Sequence, residues 1–111
     1  MTQHSDSVRL RHMLDHAAEA LQMAEGRQRR DLETDRQFCL SLIHLVEITG
    51  EAAAHVSVEG RRQWPAIPWV GIVGLRNRLI HGYDEVDLNV LWDIIEGDLP
   101  GLVAELRRIL A

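Results

Sequence analysis

Apolar residues recur three and four positions apart through most of the chain, and period-2 alternation persists nowhere, so the pattern predicts an all-α bundle. The first stripe, Leu10, Met13, Leu14, Ala17, Leu21 and Ala24, predicts a helix that Ser5 or Asp6 can cap and that Gly26 ends. The mixed charges from Arg27 to Arg36 read as a solvated turn and helix start. From about Asp31 to Val56 the pattern predicts the longest helix. Its Phe38, Leu42, Ile43, Leu45, Val46, Ile48 and Ala52 cover a sector too wide for a helix exposed on one side, which places it centrally. Gly50 followed by Ala52, Ala53 and Ala54 leaves little side chain, at a propensity cost of about 1 kcal/mol for the glycine. A tight helix crossing or a contact between two copies is expected there.

Ser57 to Gln63 can form a short helical turn, and Trp64-Pro65 and Ile67-Pro68 then hold the chain extended, because a residue before proline avoids the helical region. Pro68 suits the first turn of a new helix, in which Trp69, Ile72, Val73, Leu75, Leu79 and Ile80 supply an apolar face. Gly82 offers that helix a left-handed cap, so it is expected to end at His81 or Gly82. Asp84 or Asp87 can cap the last helix, which carries Leu88, Leu91, Ile94, Ile95, Leu99, Leu102, Val103 and Leu106, and Pro100-Gly101 should kink or break it. The sum is one up-and-down bundle of four to five helices spanning residues 1–111.

Composition narrows the class. In 111 residues, 46% hydrophobic and 26% charged suits a single globular domain and excludes a disordered or collagen-like chain. One cysteine excludes a disulfide scaffold, and Cys39 reads as a buried, reduced thiol. No apolar run approaches the roughly 20 residues that cross a bilayer, and MTQHSDSVRLRH lacks the apolar region of a secretory signal, so a cytoplasmic protein without a membrane role is expected. Twelve Arg against seventeen Asp plus Glu give a net charge of −5, which argues against coating a long nucleic acid through many phosphate contacts. Any phosphate chemistry must be local, and with no Lys every cationic Arg is a guanidinium fork.

Leu75-Arg76-Asn77-Arg78-Leu79-Ile80-His81-Gly82-Tyr83 stands out because it groups Arg, Asn, Arg, His and Tyr at the end of an otherwise apolar helix. At about 100° per residue Asn77 and His81 share a face, whereas Arg76 and His81 diverge by about 140° and do not easily grip one small group from one helix. Two copies about a twofold axis can bring both pairs to a shared cleft. Histidine titrates near neutrality, and arginine holds a phosphate at two points and stabilises charge developing on it. Such a pair suits RNA cleavage: the 2′-OH attacks the neighbouring phosphorus, His81 serves as base or acid, and Arg76 stabilises the phosphorane. No metal or other cofactor is required, and DNA, which lacks the hydroxyl, is spared.

Other polar groups have plainer readings. His12 and His16 have the spacing of two metal ligands on a helix face, but sequence places no third ligand, and no metal site is expected. His44 lies three residues before Glu47 and seven before Glu51, either a functional polar line or a satisfied core histidine. Trp64, Trp69 and Trp92 read as packing anchors.

Arg76-Asn77-Arg78-Leu79-Ile80-His81-Gly82-Tyr83 resembles the R-x-x-x-x-H-x-Y motif of the HepT-like HEPN toxins. Val46-Glu47-Ile48-Thr49-Gly50-Glu51-Ala52-Ala53, Ile67-Pro68-Trp69-Val70-Gly71-Ile72-Val73-Gly74-Leu75-Arg76-Asn77 and Leu91-Trp92-Asp93 are similar to other stretches of the same family, so the resemblance spans nearly the whole chain. It implies a HEPN-like homodimer with the cleft at its interface, and a metal-independent endoribonuclease in which Arg76 and His81 match the catalytic pair. Asn77, Arg78 and Glu51 are then supporting or substrate-binding candidates. The resemblance also implies a toxin–antitoxin role with a minimal nucleotidyltransferase as partner, which can neutralise the toxin by attaching AMP to the motif tyrosine, here Tyr83. A bulky anionic adduct two residues from His81 would block RNA by charge and volume. The competing reading is a non-catalytic module that docks a nucleotidyltransferase subunit or a nucleotide, with Arg76 as phosphate anchor. A third is a helical dimerisation domain with no site at all.

Overall fold

The computed structural model describes residues 2–83 and 85–111, with side chains from Ser5 onward. Helix α1 (Thr2–Ala24) turns its Leu10, Met13, Leu14, Ala17 and Ala20 into the core. It ends, as its sequence predicts, at Gly26, whose φ of +74° is the one left-handed glycine among the described residues. Asp6 does not cap α1, which already runs through it. Buried to 3% exposure, it reaches across the fold instead, accepting from the Ser57 N–H at 2.9 Å and the Ser57 hydroxyl at 2.6 Å. The same hydroxyl accepts from the Gly60 N–H at the start of helix α4 (Val58–Gln63). A β-carbon at Gly60 would lie 2.4 Å from the Asp6 carboxyl, so only glycine fits beside this bracket.

The long helix expected from Asp31 to Val56 is two. A single turn, α2 (Asp31–Thr34), precedes α3 (Arg36–Ala54), and Asp35 between them is extended, its side chain accepting from the Phe38 N–H. An Asp that satisfies a first-turn donor favours a helix start over a helix interior, and here that local preference wins. Arg27, read from sequence as solvated, pairs with Asp35 at 3.0 Å and lies 3.8 Å over the Phe38 ring, closing the turn onto the core. Helix α3 is central as expected, with Leu42, Val46, Thr49 and Ala53 fully buried.

Gly50 resolves the choice between a crossing and a contact of copies. A β-carbon there would lie 3.0 Å from the Ile72 carbonyl oxygen of α5 (Trp69–Val73), so the small-residue stretch serves a close approach inside the chain. Trp69 locks the extended 64–68 segment through its indole N–H, which donates to the Arg61 and Trp64 carbonyls at 3.1 Å. Trp69 and Trp92 are both buried, consistent with anchoring roles.

The helix expected from Pro68 to His81 or Gly82 is interrupted at Gly74 and ends early. It comprises α5 and α6 (Leu75–Leu79), after which Ile80 turns extended and pairs with Val86 in an antiparallel bridge. The His81 N–H donates to the Glu85 carbonyl and the Asp87 N–H to the Leu79 carbonyl, both at 2.9 Å. These bonds satisfy groups that a helix end leaves open, so the β-branched Ile80 finds its partner in a hairpin, and Gly82 is not a left-handed cap.

Asp87 caps α7 (Leu88–Asp93) through the Val90 N–H; Asp84, the other expected cap, lies outside the described residues. The regular α-helix, expected to kink or break at Pro100-Gly101, gives way just before the proline. A widened π-helical turn, Ile94–Asp98, with the Leu99 N–H reaching the Ile94 carbonyl, leads directly into α8 (Leu99–Leu110). Placed in the first turn of α8, the proline sits where its missing donor and its ring are tolerated. The rods α1, α3 and α7–α8 pack together around Leu42, Leu79, Leu91, Ile94, Leu99 and Leu106, with α5 and α6 against α3. The architecture is all-α, and among the described residues no helix is long and apolar enough to cross a membrane.

Candidate active site at the end of helix α6

Alternation of buried and exposed positions sets up the site. Leu75 and Leu79 are fully buried against the bundle, which drives the intervening Arg76, Asn77 and Arg78 to solvent. Past Leu79 the chain leaves the helix, so the angular relation that puts Asn77 and His81 on one helix face does not apply. His81 instead stands at the base of the hairpin, and the side chain of Tyr83 near its tip is fully exposed.

Each basic side chain of the segment has a carboxyl partner from a different element. Arg76 Nε lies 3.5 Å from Glu47 on α3, Arg78 pairs with Asp98 of the π turn, and His81 Nε2 is 2.9 Å from Asp87 Oδ2. The other Asp87 oxygen holds the Val90 N–H at 3.0 Å. The His81 hydrogen bond, followed by that N–H, keeps the Asp87 carboxyl below its ordinary value of 3.8.

Arg76 is 69% exposed and His81 56% exposed. Surface ion pairs of this kind are worth about 0–1 kcal/mol, so a phosphate group can displace Glu47 from Arg76 at little cost. A guanidinium then offers two parallel donors to the phosphate, and the exposed imidazole offers a ring nitrogen that can take or give a proton.

Glu51, expected as a supporting residue, lies one turn beyond Glu47 and borders a hollow with Arg9, His12 and His55; its carboxyl is 3.7 Å from His55. Glu47, not Glu51, is the acid next to Arg76. His44 is exposed and is no core histidine. Sequence reasoning missed all three acidic partners of the motif: Glu47 was visible only as part of a polar line, Asp87 only as a helix cap, and Asp98 not at all. His16 bonds the His12 carbonyl through Nδ1, and among the described residues no group of three His, Cys, Asp or Glu could hold a metal. Cys39 is a free thiol, part-buried rather than buried, and burial pushes its pKa up.

Comparison with known proteins identifies the family. The family described as "Ribonuclease HepT-like" matches residues 13–109, which include the whole 76–83 motif. A Thermococcus cleftensis protein named "Probable ribonuclease HepT" is 32% identical over 100 residues, covering 86% of this chain and 91% of that protein. A protein named as an RNase in Methanocaldococcus jannaschii is 29% identical over 97 residues, covering 87% of this chain and 89% of its own. Another so named, in Caldanaerobacter subterraneus, is 29% identical over 101 residues, covering 91% and 90%. No solved structure matches. With a family match over almost its full length, the chain belongs to the HepT-like family of ribonucleases.

Proposed function

We propose that the protein is a metal-independent endoribonuclease that cuts RNA through its 2′-OH, using Arg76 and His81 in a cleft formed by two copies of the chain. The observation that carries this reading is the exposure of Arg76 and His81 at the end of α6, Arg76 beside a surface carboxylate that a phosphate can replace, in a chain of a ribonuclease family. Arg76 binds the scissile phosphate and stabilises charge on the phosphorane, and His81 moves the proton. Asn77 and Arg78 are peripheral phosphate contacts. A groove where Leu40, 47% exposed on α3, meets Ile43, Val86 and Leu88, with Glu33 and Arg36 at its side, is a surface that a second copy could cover. Purified protein should cut total RNA in EDTA, and uncut RNA from an intact, unmodified dimer would favour a module that only binds.

The protein acts as the toxin of a pair whose antitoxin is a nucleotidyltransferase, and Tyr83 is the residue modified. Its fully exposed ring leaves the hydroxyl open to a second enzyme. Co-expression with the cognate transferase should add one or more AMP masses to the wild type and none to Tyr83→Phe. An unmodified wild type under those conditions removes this assignment.

A further inference from the structure

His81 has two ring nitrogens, and the structure uses only one of them to hold the ring. Nε2 is 2.9 Å from Asp87 Oδ2, and an ionised carboxylate only accepts, so the neutral imidazole next to it carries its hydrogen on Nε2. Asp87 is itself fixed. Its Oδ1 accepts from the Val90 N–H at the start of α7, and its own N–H donates to the Leu79 carbonyl at the end of α6. One aspartate therefore ties the end of the helix that carries Arg76, the start of the helix that follows the hairpin, and the imidazole between them. The other basic groups of the motif have partners elsewhere, Arg76 with Glu47 and Arg78 with Asp98. Among the described residues, Asp87 is the acid on the imidazole.

We propose that Asp87 is a positioning residue for His81, holding the ring as the Nε2–H tautomer and leaving Nδ1 as the nitrogen that exchanges a proton with RNA. The inference rests on the ribonuclease reading of the site. In the reaction, Nδ1 takes the 2′-OH proton as the O2′–P bond forms. The P–O5′ bond then breaks, and O5′ leaves with the proton from Nδ1–H. The Nε2 hydrogen stays with Asp87 throughout, so the imidazolium formed midway faces a carboxylate. A plain helix cap needs only one acceptor and has no use for the second oxygen on a ring; this Asp does both.

The test separates cap from positioning. Asp87→Asn keeps an oxygen for the Val90 N–H but turns an amide NH₂ toward Nε2, which favours hydrogen on Nδ1. Asp87→Ser keeps a capping oxygen and is too short to reach the ring. Nitrogen-15 NMR of neutral His81 should show the Nε2–H tautomer in the wild type and a shift toward Nδ1–H in Asp87→Asn. Cleavage should fall at least about 10-fold in both variants, part of the roughly 10²- to 10⁴-fold that a positioned acid or base contributes. The pH at half-maximal rate should also move, which a cap alone does not cause. Asp87→Glu, which restores the charge, should recover part of the rate. Should Asp87→Asn fail to fold, Asp87→Ser and the wild-type tautomer decide the matter. An Nδ1–H tautomer in the wild type overturns the proposal, as does wild-type cleavage with an unmoved pH profile in a folded Asp87→Asn or Asp87→Ser. If the wild type shows the Nε2–H tautomer held by Asp87 yet cuts no RNA, the ribonuclease reading has failed and the tether has not.

Discussion

His81→Ala should lower the rate of RNA cleavage by about 10²- to 10⁴-fold, the range over which a positioned acid or base contributes. The fold should be unaffected, because the side chain is exposed and its backbone N–H, which bonds the Glu85 carbonyl, is retained. Arg76→Ala should cost about 10²- to 10³-fold, comparable with removing one donor from a developing anion. Its ion pair with Glu47 is exposed and 3.5 Å long, so its loss hardly changes stability. Steady-state cleavage of a defined RNA, with thermal melts of each variant in parallel, checks both values. A folded His81→Ala protein that cuts as fast as the wild type would move the chemistry to another residue.

Leu79→Ala should be the most damaging substitution inside the motif for stability, by about 2–5 kcal/mol, because a fully buried leucine is replaced by a cavity. Leu79 has no chemical role, yet its burial turns Arg76, Asn77 and Arg78 outward, and its carbonyl receives the Asp87 N–H. Urea denaturation should show a lower midpoint with an unchanged slope. A midpoint equal to that of the wild type would mean that the end of α6 is not anchored by this side chain. The contrast with His81→Ala is informative. Two residues apart in one motif, the buried position should lose fold and the exposed one activity.

The pattern of apolar residues made the helical class, the central position of α3 and the core faces of α1 and α8 legible, because those faces repeat over several turns and each contributes to one shared core. It also drew attention to Arg76 and His81, since polar side chains ending an apolar helix need a reason. What escaped it were places where one side chain overrides a long pattern. Asp35 starts a helix inside what reads as a continuous one, by satisfying the Phe38 N–H. Ile80 leaves the helix for Val86, and Gly82 consequently has no helix to cap. At Pro100 the interruption takes the form of a widened turn just before the proline. The acidic partners of the motif were hidden for a related reason. Glu47 stands on α3, a helix distant in sequence from Arg76, and Asp87 lies beside His81 where Ile80 bridges Val86. Asp6 is the clearest case, a helix-start residue by sequence that serves the start of a different helix.

The central claim is that the RNA's own 2′-OH is the nucleophile, and replacing a single ribose tests it most directly. An RNA oligonucleotide that the purified protein cuts at one position in EDTA is compared with the same strand carrying a 2′-deoxy sugar on the 5′ side of that bond. Cleavage of the all-ribose strand to a 2′,3′-cyclic phosphate and a 5′-hydroxyl, with the deoxy strand intact, is the predicted result. Cleavage of the deoxy strand, or products ending in a 3′-hydroxyl and a 5′-phosphate, would contradict it.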